Sequence, residues 1–187
     1  MTRKVAIYSG SFNPLHIGHL AIIRYMIEKA GFDIVYLIVS PKNPLKDSIS
    51  SATGTERYKS AIEAVNRHFK ERVLVDDIEL TMPEPHYTIR TLEALKAREP
   101  ENSFTFVMGA DNLADIRKWR DYTRILKEFG TAVYPRKGFD LNKTKQDLLN
   151  EDPAYNIQIL DAEMVDISST EIRNALSAGQ DISHLLM

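Results

Sequence analysis

Along this chain of 187 residues, short apolar runs alternate with stretches of helical periodicity, and that alternation constrains the fold more than any other feature. Residues 5–8, Val-Ala-Ile-Tyr, run into a Gly/Ser/Asn/Pro stretch and read as a buried strand over 4–8. Leu20, Ile23, Ile27 and Ala30 then recur at helical spacing with Gly31 as a stop, which predicts a helix over 18–30. Residues 34–39 are β-branched and apolar and break at Ser40-Pro41, completing a βαβ unit. The same reading predicts a helix near 55–70, a strand near 73–76, a helix near 88–98 and a strand over 104–108. Two short helical segments within 111–128, a strand over 131–134, a helix near 142–150, a strand over 157–160 and a last helix from Ser169 follow. The expected fold is α/β, a Rossmann-like doubly wound, mostly parallel sheet with helices on both faces. Ligands then belong at the carboxyl ends of the strands, near the topological switch point.

One domain over 1–187 is expected, because no repeat, low-complexity segment or linker interrupts the pattern and 150–156 reads as a loop. Residues 41–54, rich in Pro, Lys, Ser and Gly without periodicity, read as a functional loop and a candidate substrate lid. A net charge of -2 gives no broad attraction to a polyanion, so nucleic acid and anionic membranes are not expected partners. With no cysteine, disulfides, thiolate nucleophiles and thiolate zinc sites are excluded together. The apolar run after Arg3-Lys4 is too short for a signal peptide or a membrane span, and the expected location is cytoplasmic.

The strongest chemical signal is Gly10-Ser11-Phe12-Asn13-Pro14-Leu15-His16-Ile17-Gly18-His19, between the first strand and the first helix. Free N–H groups and the positive dipole end of that helix face the strand-end crevice, which suits a phosphate. Gly10 and Gly18 let backbone approach a nucleotide closely, Pro14 restricts the turn, and His16 and His19 lie on neighbouring surface as N–H donors. The plainer readings are a capping loop with surface histidines or an incidental two-histidine metal site. Neither the phosphate-loop consensus nor the dinucleotide glycine fingerprint is present.

A second signal, Ile167-Ser168-Ser169-Thr170-Glu171-Ile172-Arg173, opens the last predicted helix. A capping box accounts for Ser168 and Glu171, and it leaves Ser169, Thr170 and Arg173 as donors for further phosphate oxygens.

The first string resembles the nucleotidyltransferase superfamily signature G-x-F-x-P-x-H-x-G-H, and residues 16–19 also spell the class I aminoacyl-tRNA synthetase signature. The resemblance implies an ATP site with Gly10, Ser11, Phe12 and Gly18 in its walls, where His16 and His19 stabilise charge on departing pyrophosphate. The second string is similar to the I-S-S-T-x-I-R of adenylyltransferases, which implies that Ile167, Ser168, Ser169, Thr170 and Arg173 hold the β- and γ-phosphates. Gly109-Ala110-Asp111-Asn112-Leu113 with Trp119, His86-Tyr87-Thr88-Ile89-Arg90-Thr91-Leu92, and Arg136-Lys137-Gly138-Phe139 look like segments of nicotinate-nucleotide adenylyltransferases.

By that resemblance Trp119 stacks on the pyridine ring, backbone at Thr88 meets its carboxylate, Arg136 binds the mononucleotide phosphate and Asp111 contacts a nucleotide ribose. Lys46 joins the cationic donors, and no protein metal ligand is implied: Mg2+ comes with ATP. Each residue also has a plain structural reading: Trp119 as core, Thr88 and Asp111 as helix caps, and Arg117, Lys118 and Arg120 as a solvated helix face. Asn13, Arg90, Lys137 and Pro44-Leu45-Lys46 depart from the family's commoner residues and bear on the acceptor pocket and the 41–54 loop.

The implied activity is transfer of the adenylyl group of ATP to nicotinate mononucleotide, forming deamido-NAD and pyrophosphate. The alternatives are nicotinamide mononucleotide or phosphopantetheine as acceptor, a non-catalytic ATP-binding regulatory module, and a synthetase-related tRNA protein. Enzymes that use phosphopantetheine normally carry Thr where His16 stands, and a regulatory module needs no Trp119, Thr88 or Arg136. The sequence leaves the oligomeric state open.

Overall fold

The computed structural model describes residues 2–41, 53–69, 71–162, 167 and 169–187. Six strands form one all-parallel sheet: β1 (Lys4–Gly10), β2 (Ile34–Val39), β3 (Val73–Asp76), β4 (Ser103–Gly109), β5 (Thr131–Tyr134) and β6 (Ile157–Ile159). The helices in chain order are α1 (Ile17–Glu28), α2 (Gly54–His68), α3 (Ile78–Thr81), α4 (Thr88–Arg98), α5 (Ala110–Ala114), α6 (Tyr122–Arg124), α7 (Leu141–Glu151) and α8 (Ser169–Ser177). A π-helical turn, Ile125–Phe129, prolongs α6.

Every residue of β2, Ile-Val-Tyr-Leu-Ile-Val, is buried. A parallel strand covered on both faces should read this way, because neither set of alternating side chains meets water. Two cores follow from that alternation. Val5, Ile7, Tyr36, Ile38, Phe106 and Met108 pack with Ile89, Leu92 and Leu95 of α4 and with Leu148 of α7 on one face. Ala6, Tyr8, Val35, Leu37 and Val107 pack with Ile22, Ile23 and Met26 of α1 and with Ala61, Ala64 and Val65 of α2 on the other. At roughly 1.5–3 kcal/mol for each fully buried large apolar side chain, these two layers are the main source of stability.

The strand order is β3-β2-β1-β4-β5-β6. From β1 the chain builds outward in one direction through β2 and β3, then returns to the other side of β1 to build β4, β5 and β6. The switch point is therefore between β1 and β4, where Tyr8 lies in register with Val107. The loops after these two strands open a crevice there, and it is the natural place for a ligand in this topology.

The alternation read from sequence matches the elements closely, with β2, β3, α4 and β5 at the expected bounds. Short α3 and a C-terminal 3-10 turn, Ser183–Leu185, were not expected. Both are too short to show a period in sequence. After that turn the chain folds back on the β1–α1 loop: Leu186 bridges His16, and Met187 N–H donates to Leu15 O at 3.4 Å. No helix among the described residues is long and apolar enough to cross a membrane.

Candidate active site

The β1–α1 loop is folded around its own aromatic side chains. Phe12 takes a left-handed backbone conformation, φ 42°, which an L residue adopts at a cost of roughly 1–2 kcal/mol. That turn lays its ring over Gly10, where an added Cβ would stand 3.1 Å from the ring. Strained backbone of this kind persists where surrounding packing dictates it, commonly at functional sites.

His16 is the N-cap of α1 and is buried, at 4% exposure. Its ring stacks on that of His19, with centroids 3.7 Å apart and planes tilted by 35°. Phe12 meets His19 edge-on at 5.2 Å, and Tyr8 lies at 6.1 Å. The backbone N–H of His16 donates to Nδ1 of His19 at 3.2 Å. With Nδ1 engaged as an acceptor, the neutral His19 ring carries its proton on Nε2 and presents a donor there.

Burial, then repulsion from Arg136, holds His16 down at about 4, with Glu171 opposing. Burial, then His16 and Arg136, also holds His19 well below the usual histidine range. Both rings are therefore neutral donors at physiological pH. The His16 Nδ1 atom is enclosed without a hydrogen-bond partner among the described residues, leaving unused polar capacity at this loop.

The second string reaches the same place from the far end of the chain. Arg173 Nη1 donates to Asn13 O at 2.9 Å and its Nη2 to Thr170 Oγ1 at 3.0 Å, while Ser169 Oγ lies 3.4 Å from Pro14 O. A Cβ on Gly18 would stand 3.1 Å from the His16 ring and 3.2 Å from an Ile167 methyl, so only glycine lets these segments meet unshifted. Gly10, Ser11, Phe12, His16, Gly18, His19, Ile167, Ser169, Thr170 and Arg173 thus form one neighbourhood. Lys46 and Ser168, with most of the 41–54 loop, lie outside the described residues.

The carboxyl ends of β4 and β5 supply the next wall. Asp111 lies in the first turn of α5, whose N-cap is Gly109, so Asp111 is not the cap. A Cβ on Gly109 would collide with the Asp111 carboxylate and stand 3.3 Å from Arg136 Nε. Arg136 lies 3.9 Å from Asp111 and 5.1 Å from the centre of the Tyr134 ring. Its charge is felt at both histidines.

The neighbouring cavity, about 360 Å3, is lined by Tyr8, Ser11, Phe106, Trp119 and Tyr134 among others, and it takes in Thr88 and His86. Trp119 is partly buried and meets Phe106 edge-on at 5.9 Å, leaving part of the indole open to the cavity. Thr88 is the first residue of α4, and the N-cap is Tyr87, which makes no side-chain cap. The capping reading of Thr88 therefore falls away. Helix geometry leaves the Thr88 and Ile89 N–H groups without intrahelical acceptors. Of the cations flanking Trp119, Arg117 is tied to Glu151 at 2.8 Å, whereas Lys118 and Arg120 line the cavity.

Sequence reading overlooked two buried charges here. Arg57 of α2 donates to Ser11 O, to Ser40 O at 2.8 Å and to Pro41 O at 2.8 Å, tying the β1 and β2 ends together. Its signal was present: Arg57 is in phase with Ala61, Ala64 and Val65 on the buried stripe of α2. Glu79 of α3 is 5% exposed and accepts from the hydroxyls of Ser9, Ser40 and Thr91. Nothing in the local sequence around Glu79 distinguishes it from a surface acid.

A family model described as cytidylyltransferase-like matches residues 7–175. A Flavobacterium johnsoniae protein named probable nicotinate-nucleotide adenylyltransferase is 38% identical over 183 residues, covering 98% of this chain and 91% of its own. A Bacteroides fragilis protein of the same name is 38% identical over 98% of this chain and 87% of its own. Among solved structures, Plasmodium falciparum nicotinic acid mononucleotide adenylyltransferase complexed with NaAD has the same fold: TM-score 0.78, 21% identity, 97% of this chain and 88% of that one covered. The chain belongs to the cytidylyltransferase-like family and, within it, to the nicotinate-nucleotide adenylyltransferases.

Proposed function

We propose that this enzyme transfers the adenylyl group of ATP to nicotinate mononucleotide, yielding deamido-NAD and pyrophosphate in NAD biosynthesis. The observation that carries the assignment of roles is the meeting of the two helix-start strings, Arg173 on Asn13 O at 2.9 Å, beside a cavity holding Trp119 and the start of α4. In this reading the whole chain is one nucleotidyltransferase domain working in the cytoplasm.

A phosphate oxygen of the mononucleotide attacks the α-phosphorus of ATP, a new P–O bond forms, and the bond to the β-phosphate breaks with its electron pair leaving on pyrophosphate. That oxygen is already anionic and needs no general base. The protein's work is to align two negatively charged reactants and to offset their repulsion. His19, fixed by its Nδ1 contact, offers Nε2–H to the phosphate chain, and His16 stacks behind it. Arg173, Ser169 and Thr170 hold the leaving pyrophosphate, and Arg136 holds the acceptor phosphate. Donors aimed at the leaving group gain strength as its charge grows, which lowers the barrier rather than merely the dissociation constant.

Magnesium fits as part of the nucleotide. The two histidines, Arg136 and Arg173 are donors suited to phosphate oxygens, while a hard divalent cation takes oxygen ligands, which ATP phosphates and water provide. Bound so, it would neutralise phosphate charge.

The test supplies ATP and magnesium with nicotinate mononucleotide, nicotinamide mononucleotide or phosphopantetheine and measures pyrophosphate. Release should be fastest with the first. Release only with phosphopantetheine, or with none, would remove the assignment.

A further inference from the structure

We infer that His86 is a specificity-determining residue of the acceptor cavity, reading the pyridine carboxylate through its Nε2–H; the inference rests on the adenylyl-transfer reading above. His86 lines the cavity two residues before Thr88. Its Nδ1 is enclosed and meets no hydrogen-bond partner among the described residues. A proton on that nitrogen would be a stranded buried donor, and stranded donors are rarer in proteins than under-used acceptors. A ring with one proton then carries it on Nε2, the nitrogen assigned here to the ligand.

Beside Asn112 and several hydroxyls, which can both donate and accept, the groups next to His86 and Trp119 are donors. Thr88 and Ile89 open α4 with N–H groups free of intrahelical acceptors, and Lys118 and Arg120 stand at the rim, each also near a carboxylate of its own, Asp115 or Asp121. Glu79 is the one carboxylate in the described lining, and its oxygens accept from Ser9, Ser40 and Thr91. A ligand carboxylate accepts at both oxygens and meets this set of donors. A carboxamide brings N–H groups of its own, which face donors instead of acceptors.

The carboxylate is remote from the reacting phosphorus and its charge does not change in the transition state. Its loss of contact should then appear in KM rather than kcat.

The experiment measures kcat and KM for nicotinate and nicotinamide mononucleotides at saturating ATP and magnesium, in wild type, His86→Ala, His86→Gln and His86→Asn. Removing a hydrogen bond to a charged group should raise KM for the nicotinate substrate roughly 10–100-fold in His86→Ala, with kcat within about twofold. The nicotinamide KM should move less than about threefold. Glutamine places an amide N–H near the Nε2 position and should recover most of the preference, whereas asparagine reaches only the Nδ1 position and should not. Equal losses with both acceptors, or Asn matching Gln among variants that melt like wild type, would overturn the role of His86. A wild type inactive with nicotinate mononucleotide would instead remove the reading on which it rests.

Discussion

The histidine loop and the cavity proposed for the acceptor share one crevice and are built in opposite ways. Around His19 the structure is closed: Tyr8, Phe12 and His16 surround the ring, and backbone fixes its tautomer. Beside Trp119, Lys118 and Arg120 pair with exposed carboxylates, Asp115 and Asp121, and the cavity itself is open space framed by β1, β4, β5 and the start of α4. A packed, water-poor donor keeps its aim and acts strongly on developing charge. An open cavity with a partly free indole gives shape and selectivity with little hold on the reacting atoms. Arg57 joins the two, bonding Ser11 O on one side and Ser40 O and Pro41 O on the other.

The largest expected effect is on the closed side. His19→Ala should lower kcat on the order of 10²–10³-fold, as loss of one preorganised donor does elsewhere, with a circular dichroism spectrum like that of wild type. A folded variant with near-normal turnover would erase the contrast between the two regions. On the open side, Trp119→Ala should raise the acceptor KM about tenfold, from the ~1 kcal/mol or more that a stacked aromatic contributes beyond its area, and should leave the ATP KM unchanged. A dominant fall in kcat would show that the indole aligns the attacking oxygen.

These two sites also differ in how much of them the sequence could disclose. Gly10 to His19 and Ile167 to Arg173 are contiguous strings at helix starts, so local spacing alone marks them as candidate phosphate sites. β2 was equally plain, since six apolar residues in a row fit only a strand covered on both faces. The cavity gathers residues 8, 106 and 134 from three strands with 79, 86 and 119 from a short helix and loops, and no spacing rule links them. Trp119 and Thr88 were reachable through family resemblance alone. Glu79 was not reachable, because its burial arises from three hydroxyls on distant segments. His86 falls within the motif around Thr88, but local sequence assigns it no task, because an enclosed Nδ1 is a property of packing.

A smaller effect concerns pH. The neutral form of His16 is favoured by folding, its value falling from the ordinary 6.5 to about 4, mainly by burial. Between those limits the unfolded chain binds more protons than the folded one, so stability rises with pH across the window and is lost as pH falls from about 6.5 toward 4. His19 is displaced in the same direction. The melting temperature of wild type should therefore drop between pH 7 and pH 4.5 by more than that of His16→Gln. Parallel pH profiles for the two proteins would mean that His16 is not held neutral by the fold.

The division of labour between the regions is tested most directly by the acceptor preference of His19→Ala. Its kcat with nicotinate mononucleotide should fall on the order of 10²–10³-fold, while the ratio of kcat/KM for nicotinate over nicotinamide mononucleotide stays within about threefold of wild type, because in the proposed roles the donor removed serves phosphates and not the pyridine. A collapse of that ratio together with kcat would contradict the account, since it would show that the loop and the cavity act as one site.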